Sequence, residues 1–273
     1  MSSVSGHLTA EPHFIRSDLT SGILRLTLDH QSRRNALGEG MMAALQGALD
    51  RAAVDADVKV VIIAAEGPAY CAGHDLKEMS AHRSEPDRGR AYFETVFARC
   101  ARLMTSVVHL PKPVIAEVAG VATAAGCQLV ASCDLVIAAD TARFATPGVN
   151  IGLFCSTPMV ALSRAIGRKQ AMEMLLLGDQ ISASEAKDFG LVNRVVPSAQ
   201  LTAEATNLAN RIAAKSPLTL KIGKEAFYAQ AELSLDDAYR MTSEVMVTNM
   251  LARDAEEGIG AFMEKRDPVW QGR

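Results

Sequence analysis

The chain has 273 residues, a formal net charge of −3, and 49% hydrophobic, 22% charged and 5% aromatic residues. These proportions belong to ordinary globular proteins and exclude collagenous, disordered and disulfide-scaffold classes. The small net charge provides no general attraction to nucleic acid or anionic membrane, and scarce aromatics argue against base stacking, so an enzyme or small-molecule binder is expected.

The first residues lack the basic and apolar stretches of a signal peptide, so residues 1–11 read as a disordered tail and a cytoplasmic location is expected. Residues 13–18 and 22–29 read as two strands joined by Thr20-Ser21-Gly22, with Ile23, Arg25 and Thr27 alternating against Leu24, Leu26 and Leu28. Apolar residues at helical spacing (Met41, Leu45, Leu49, Ala52) predict a helix over 37–54. Continuous apolar runs at 58–65, 114–119 and 135–138 read as buried strands, with helices at 87–108 and 124–132. Beyond Thr157 the pattern is helical, at 157–166, 169–177, 183–189, 200–214, 217–230, 235–249 and 253–264, interrupted by an apolar stretch from Leu191 to Val196. Strands alternating with helices and followed by helices alone predict an α/β fold with a helical C-terminal subdomain. The most apolar candidate span, Gly120 to Ala139, contains Gln128, Ser132 and Asp134 and reads as a core segment, so no membrane association is expected.

The cysteines, Cys71, Cys100, Cys127, Cys133 and Cys155, are odd in number and lack C-x-x-C spacing, which predicts free thiols and no metal site. No G-x-S-x-G elbow, P-loop or G-x-G-x-x-G motif is present. Two segments break the regular pattern alike. Glu66 to Met79 follows the strand at 58–65, and Gly120 to Gln128 follows the strand at 114–119. Each places small residues between a buried strand and a helix start. Such segments serve either close helix–sheet packing or the approach of a ligand to free N–H groups; two together can form an oxyanion hole.

The residues that carry a family likeness are Arg34-Asn35-Ala36-Leu37, Ala69 to Lys77, Lys112 to Ala116, Gly120 to Asp134 and Phe144 to Pro147. To these are added Gly178 to Ala183, Glu185-Ala186, Gly190 to Val192 and Ala261 to Arg266. On these segments the chain resembles the crotonase (enoyl-CoA hydratase/isomerase) superfamily. Residues 122–134 and 145–158 look most like its enoyl-CoA hydratase domain-containing protein 3 subgroup. The resemblance implies a ClpP-like spiral of ββα units over 12–197 and a helical subdomain over 198–273 for oligomerisation and CoA contact. It further implies a homotrimer or dimer of trimers, an acyl-CoA thioester as ligand, and no cofactor beyond the coenzyme A that the substrate carries. Carried onto this chain, the thioester carbonyl meets the amides of His74 and Ala125. Arg33, Arg34, Ala36, Ala72, Asp75, Leu76 and Lys77 fall in the CoA-binding segments, and Phe262 and Lys265 fall where the C-terminal helix reaches CoA.

The chain departs from this pattern where the family's hydratases carry two glutamates. The first position is Gln128, which can hold a water but cannot titrate, and the second is Gly148, which has no side chain. Asp75, a helix-start residue by its place, and Glu78, Glu117, Cys155 and the His74 ring are the remaining groups that could substitute, and they make no evident acid–base pair. Three readings stay open: an acyl-CoA enzyme with a reduced acid–base apparatus, a crotonase-fold protein that binds acyl-CoA without turnover, and a structural or interaction protein that keeps only the fold.

Overall fold

The structure, a computed structural model, describes residues 14–273; the tail expected over 1–11 lies outside them. An antiparallel hairpin opens it: β1 (Ile15–Thr20) and β2 (Ile23–Leu28) turn at Ser21 and Gly22, both with positive φ. Helix α1 (Glu39–Val54) leads to three strand pairs, β3 (Val60–Ala65) with β4 (Ala69–Cys71), β5 (Val114–Val118) with β6 (Val121–Thr123), and β7 (Leu135–Ala139) with β8 (Arg143–Ala145). Each pair gives one strand to each of two sheets. With β9 (Ile181–Ser182) and β10 (Arg194–Val196), the orders are β1-β2-β3-β5-β7-β10 and β4-β6-β8-β9.

Between the first two pairs run α2 (Leu76–Ala81) and α3 (Arg90–His109), and α4 (Ala125–Ser132) follows β6. After β8 come α5 (Ser156–Ala165), α6 (Arg168–Leu177) and α7 (Ala183–Phe189), the last with a Ser182/Glu185 capping box. The repeated strand, strand, helix progression is the spiral that the family resemblance implies. The short strands β4, β6, β8 and β9 escape periodicity because they have two or three residues each. Side-chain alternation gives the larger sheet two apolar faces. Val61, Ile63, Ala116 and Val118 pack in the cluster that includes α1 and α3, while Val60, Ile62, Ala64 and Ile115 face α8 (Leu201–Ala213).

Helix α8, grouped by sequence with the C-terminal helices, packs Leu201, Ala205, Leu208 and Ala209 directly on the sheet. The last helices are α9 (Pro217–Gln230), α10 (Leu235–Met250) and α11 (Arg253–Glu264). Lys224 and Tyr228 tie α9 to the core by bonding the Asp134 carboxylate at 2.7 and 2.9 Å. Asp254 joins α11 to the start of α9 through Ser216 Oγ at 2.6 Å and to the chain end through the Gln271 amide at 2.7 Å. By contrast α10, α11 and the turn between them leave Val247, Met250, Leu251, Phe262 and Met263 exposed. Among the described residues, no helix is long and apolar enough to cross a membrane. No group of three or more His, Cys, Asp or Glu there is placed to hold a metal.

Candidate active site

Strand β4 pairs with β6 in parallel, and this brings the two irregular turns together. Gly73 has φ +86°, and a Cβ there would lie 2.9 Å from the Ala124 Cβ and 3.3 Å from the Ala125 nitrogen. The positive φ and the close approach each favour glycine. A Cβ on Gly126 would overlap the Cys71 carbonyl, so the start of α4 is pressed onto β4. Ala124, immediately before that helix, has φ +50° and ψ −119°, a backbone state that costs about 1–3 kcal/mol for a non-glycine residue. Hydrogen bonds from the Ala124 amide to the Ala145 carbonyl and from the Gln128 amide to the Ala124 carbonyl, each 3.0 Å, hold it there.

The first turn is laced to a strap at residues 34–37. The Ala72 amide donates to the Arg34 carbonyl at 3.1 Å, and the Leu37 amide donates to the Gly73 carbonyl at 2.7 Å. The strap is anchored by Asn35, which is fully buried. Its Nδ2 donates to the carbonyls of Glu66 (2.9 Å) and Ala69 (2.8 Å), and its Oδ1 accepts from the His30 amide at 2.8 Å. The family segment includes Asn35 without giving it a role, and the polar run Gln31 to Arg34 before it carries no signal that marks it.

These bonds orient the two amides. In a trans peptide the C=O and N–H point oppositely. The Gly73 carbonyl is directed at Leu37, so the His74 N–H points away from the strap. The Ala124 carbonyl accepts along α4, so the Ala125 N–H points out of the helix start. Neither amide has an acceptor among the described residues. The result is two unpaired donors on touching turns, with Ala125 itself buried.

The polar side chains around them are neutral. The His74 Nδ1 lies 3.3 Å from the Leu37 carbonyl, its ring meets Phe97 edge-on at 5.5 Å, and burial lowers its pKa below the usual histidine value. Gln128 is buried, and its Oε1 faces the Cys100 thiol at 4.0 Å. Burial pushes the Cys100 thiol up to about 12. Phe97 and Cys100 lie one turn apart on α3, so a single helix face borders both His74 and Gln128.

Gly148 is more than a missing side chain. A Cβ there would lie 2.8 Å from the Leu153 carbonyl and 2.9 Å from the Cys155 Sγ, so the loop closes over this position and the thiol fills it. Burial raises the Cys155 pKa, against the opposing effect of a hydrogen bond from the Gly148 backbone, so the thiol stays protonated. Glu117 is removed from contention by strand alternation. It faces α8 with Ile115, its carboxylate taken by Arg25 at 2.6 Å and Thr202 at 2.8 Å. A cleft of about 990 Å³ on that side includes these residues, but their charges are already mutually paired.

A second cleft, of about 380 Å³, lies beside the first turn and is lined by Phe14, His30, Arg33, Ala36, Asp75 and Lys77 among others. Asp75 is the N-cap of α2, accepting from the amides of Lys77 (3.0 Å) and Glu78 (3.2 Å), and it also meets Arg33 at 3.4 Å. Arg34 is exposed in a left-handed conformation, Ala72 is half-buried in the laced turn, and Leu76 is 50% exposed at the head of α2. Phe262 and Lys265 do not join this group within one chain. Phe262 on α11 is 85% exposed, Lys265 follows that helix, and α11 packs on α9 and α10.

Comparison with known proteins agrees with this architecture. The family model described as enoyl-CoA hydratase/isomerase matches residues 18–273. Proteins named enoyl-CoA hydratase domain-containing protein 3, mitochondrial, are similar over most of their length. The one from Xenopus laevis is 49% identical over 266 residues, 97% of this chain and 88% of its own. The one from Homo sapiens is 47% identical over 266 residues, 97% of this chain and 86% of its own. A crystal structure titled as enoyl-CoA hydratase from Mycobacterium smegmatis superposes with a TM-score of 0.90 at 49% identity, covering 95% of this chain and 99% of that one. The cytoplasmic location expected from the sequence is corrected by these names: both relatives are called mitochondrial, and lack of a secretory signal peptide does not assign a compartment. With a family match over residues 18–273 and the paired-strand spiral in place, the chain belongs to the enoyl-CoA hydratase/isomerase family.

Proposed function

We propose that this protein binds the CoA thioester of an acyl group and polarises its carbonyl between the amides of His74 and Ala125, within fatty-acid or related acyl-CoA metabolism. The observation that carries the reading is the pair of unpaired donors on touching turns. Charge moving onto the thioester oxygen as an enolate forms is stabilised there, and one such donor is worth about 3 kcal/mol. Arg33 and Lys77, beside the smaller cleft, are the cations for the CoA phosphates, with Arg34 at its margin. Ala36, Ala72 and Leu76 form the small and apolar flank of the same path, and Asp75 fixes it by capping α2.

Ordinary hydration is not part of the proposal. Water addition needs a group that takes a proton and one that gives it, and Gln128 does neither. The Gly148 position admits no side chain while Leu153 and Cys155 stand as they do. The same observation favours a second reading, an acyl-CoA-binding protein without turnover. Exposed Val247, Met250 and Phe262 on α10 and α11, with Leu251 between the helices, support assembly as a homotrimer or dimer of trimers. In such an assembly Phe262 and Lys265 would meet CoA on a neighbouring copy. No cofactor is invoked beyond the coenzyme A of the substrate.

The test is a spectrophotometric assay of the purified protein on short- and medium-chain 2-enoyl-CoA esters, paired with calorimetric binding. The proposal expects binding without hydration at the rate of family hydratases. Rapid hydration overturns the assignment of the acid–base positions, and failure to bind any CoA ester overturns the site.

A further inference from the structure

The larger sheet has an unused edge. Among the described residues β1 pairs with β2 alone, and its six residues, Ile15 to Thr20, contain no proline or bulge and are mostly exposed. The opposite edge, β10, is only three residues long. The hairpin register says which groups are free. Thr20 and Ile23 flank the two-residue turn and form a hydrogen-bonded pair, as then do Asp18 with Arg25 and Arg16 with Thr27. The Asp29 amide, which donates to the Phe14 carbonyl at 2.9 Å, continues the same ladder. The N–H and C=O groups of Ile15, Ser17 and Leu19 therefore point away from β2, along the open edge. An exposed edge of this kind is a template for a further strand.

Charge decides which strand fits. If a second copy of β1 lies antiparallel across a two-fold axis, the outward groups of Ile15, Ser17 and Leu19 in the two copies meet one another. With the axis at Ser17, Ile15 faces Leu19, and Arg16 of each copy stands opposite Asp18 of the other in the closer, non-hydrogen-bonded positions. Moving the axis to Arg16 sets arginine against arginine, and moving it to Asp18 sets aspartate against aspartate; both are repulsive. Arg16 has a group to spare for the pairing, because its Nε meets Asp29 at 2.9 Å and its Nη2 meets Glu66 at 2.6 Å, which leaves Nη1. The Asp18 carboxylate accepts from Thr20 Oγ at 2.8 Å through Oδ1, which leaves Oδ2. We propose that the β1 edge is an interaction surface for a second copy of this chain, paired antiparallel about Ser17 so that the two six-stranded sheets run on as one. Such a contact uses the same patch on both copies and closes on itself. It is separate from the exposed face of α10 and α11, so it joins two single subunits or two trimers alike, and it rests on neither the thioester reading nor the trimer.

Sedimentation equilibrium of the full chain tests this. The wild type is expected to show twice the mass of Arg16→Asp and twice that of Asp18→Arg, since each single swap places like charges opposite one another at both cross-strand positions. The double swap Arg16→Asp/Asp18→Arg restores opposite charges and should return the mass to that of the wild type. A second measurement does not depend on these variants folding. In Ser17→Cys the two introduced thiols flank the axis, so a short linker reactive at both ends with thiols should join two chains. Thr20→Cys should not be joined, because its two copies lie about 20 Å apart along the paired strands. A mass unchanged by the single swaps overturns the inference, as does a double swap that stays at half the mass or a Ser17→Cys protein that fails to link.

Discussion

The two halves of the candidate site are built in different ways. The half proposed to face a carbonyl is made of main chain: the amides of His74 and Ala125, aimed by Leu37, Gln128 and the pairing of β4 with β6. The acid–base half depends on side chains and on space for them, and here it holds a buried amide at Gln128 and a closed position at Gly148. Under the proposed function, the difference lets the fold keep polarisation of a carbonyl while proton transfer is lost. Backbone donors persist wherever the glycines and the strap persist, whereas a carboxylate needs both a residue type and a cavity.

The hardest break of the backbone half is Gly126→Val. Its Cβ would overlap the Cys71 carbonyl, so a loss of about 3 kcal/mol and of CoA-ester binding is expected, measured by urea denaturation and calorimetry. Asn35→Ala should cost about 2 to 3 kcal/mol, because it strands the carbonyls of Glu66 and Ala69 in a buried place. Its effect on ester affinity should follow, since the strap that aims Gly73 loses its anchor.

The side-chain half is probed by Gly148→Glu. We expect a destabilisation of about 2 kcal/mol from the clash with Leu153 and Cys155, and no gain of hydration even beside Gln128→Glu. A double variant that hydrates 2-enoyl-CoA efficiently would refute the view that the loop closes this position. The smallest effect concerns pH. The folded His74 pKa lies below its unfolded value of about 6.5, so the unfolded chain binds the proton more readily. His74 therefore contributes stability above about pH 6.5 that is lost as pH falls, and His74→Phe should show a shallower loss of melting temperature on acidification.

Much of this architecture is legible in the sequence. The long helices follow from apolar spacing, and the buried strands from β-branched runs such as Val60 to Ile63. The second sheet is not legible, because strands of two or three residues have too few side chains to set a period and are fixed by their neighbours. At the site, residue types reveal the small-residue turns, while the absence of two carboxylates, at Gln128 and Gly148, is what the family resemblance implies. They do not reveal that Cys155 fills the space at Gly148, that alternation turns Glu117 toward Arg25, or that Asn35 carries the strap. Each of these depends on contacts between residues distant in the chain or on the path of a loop. The compartment is not legible either: lack of a secretory signal is not an address, and the relatives are named mitochondrial.

The central claim, polarisation without proton transfer, is tested most directly by infrared difference spectroscopy of crotonyl-CoA labelled with ¹³C at the thioester carbonyl and bound to the wild-type chain. The account predicts a carbonyl stretch shifted to lower frequency on binding, while the enoyl absorbance persists. An unshifted carbonyl, or rapid loss of the enoyl band through hydration, would contradict it.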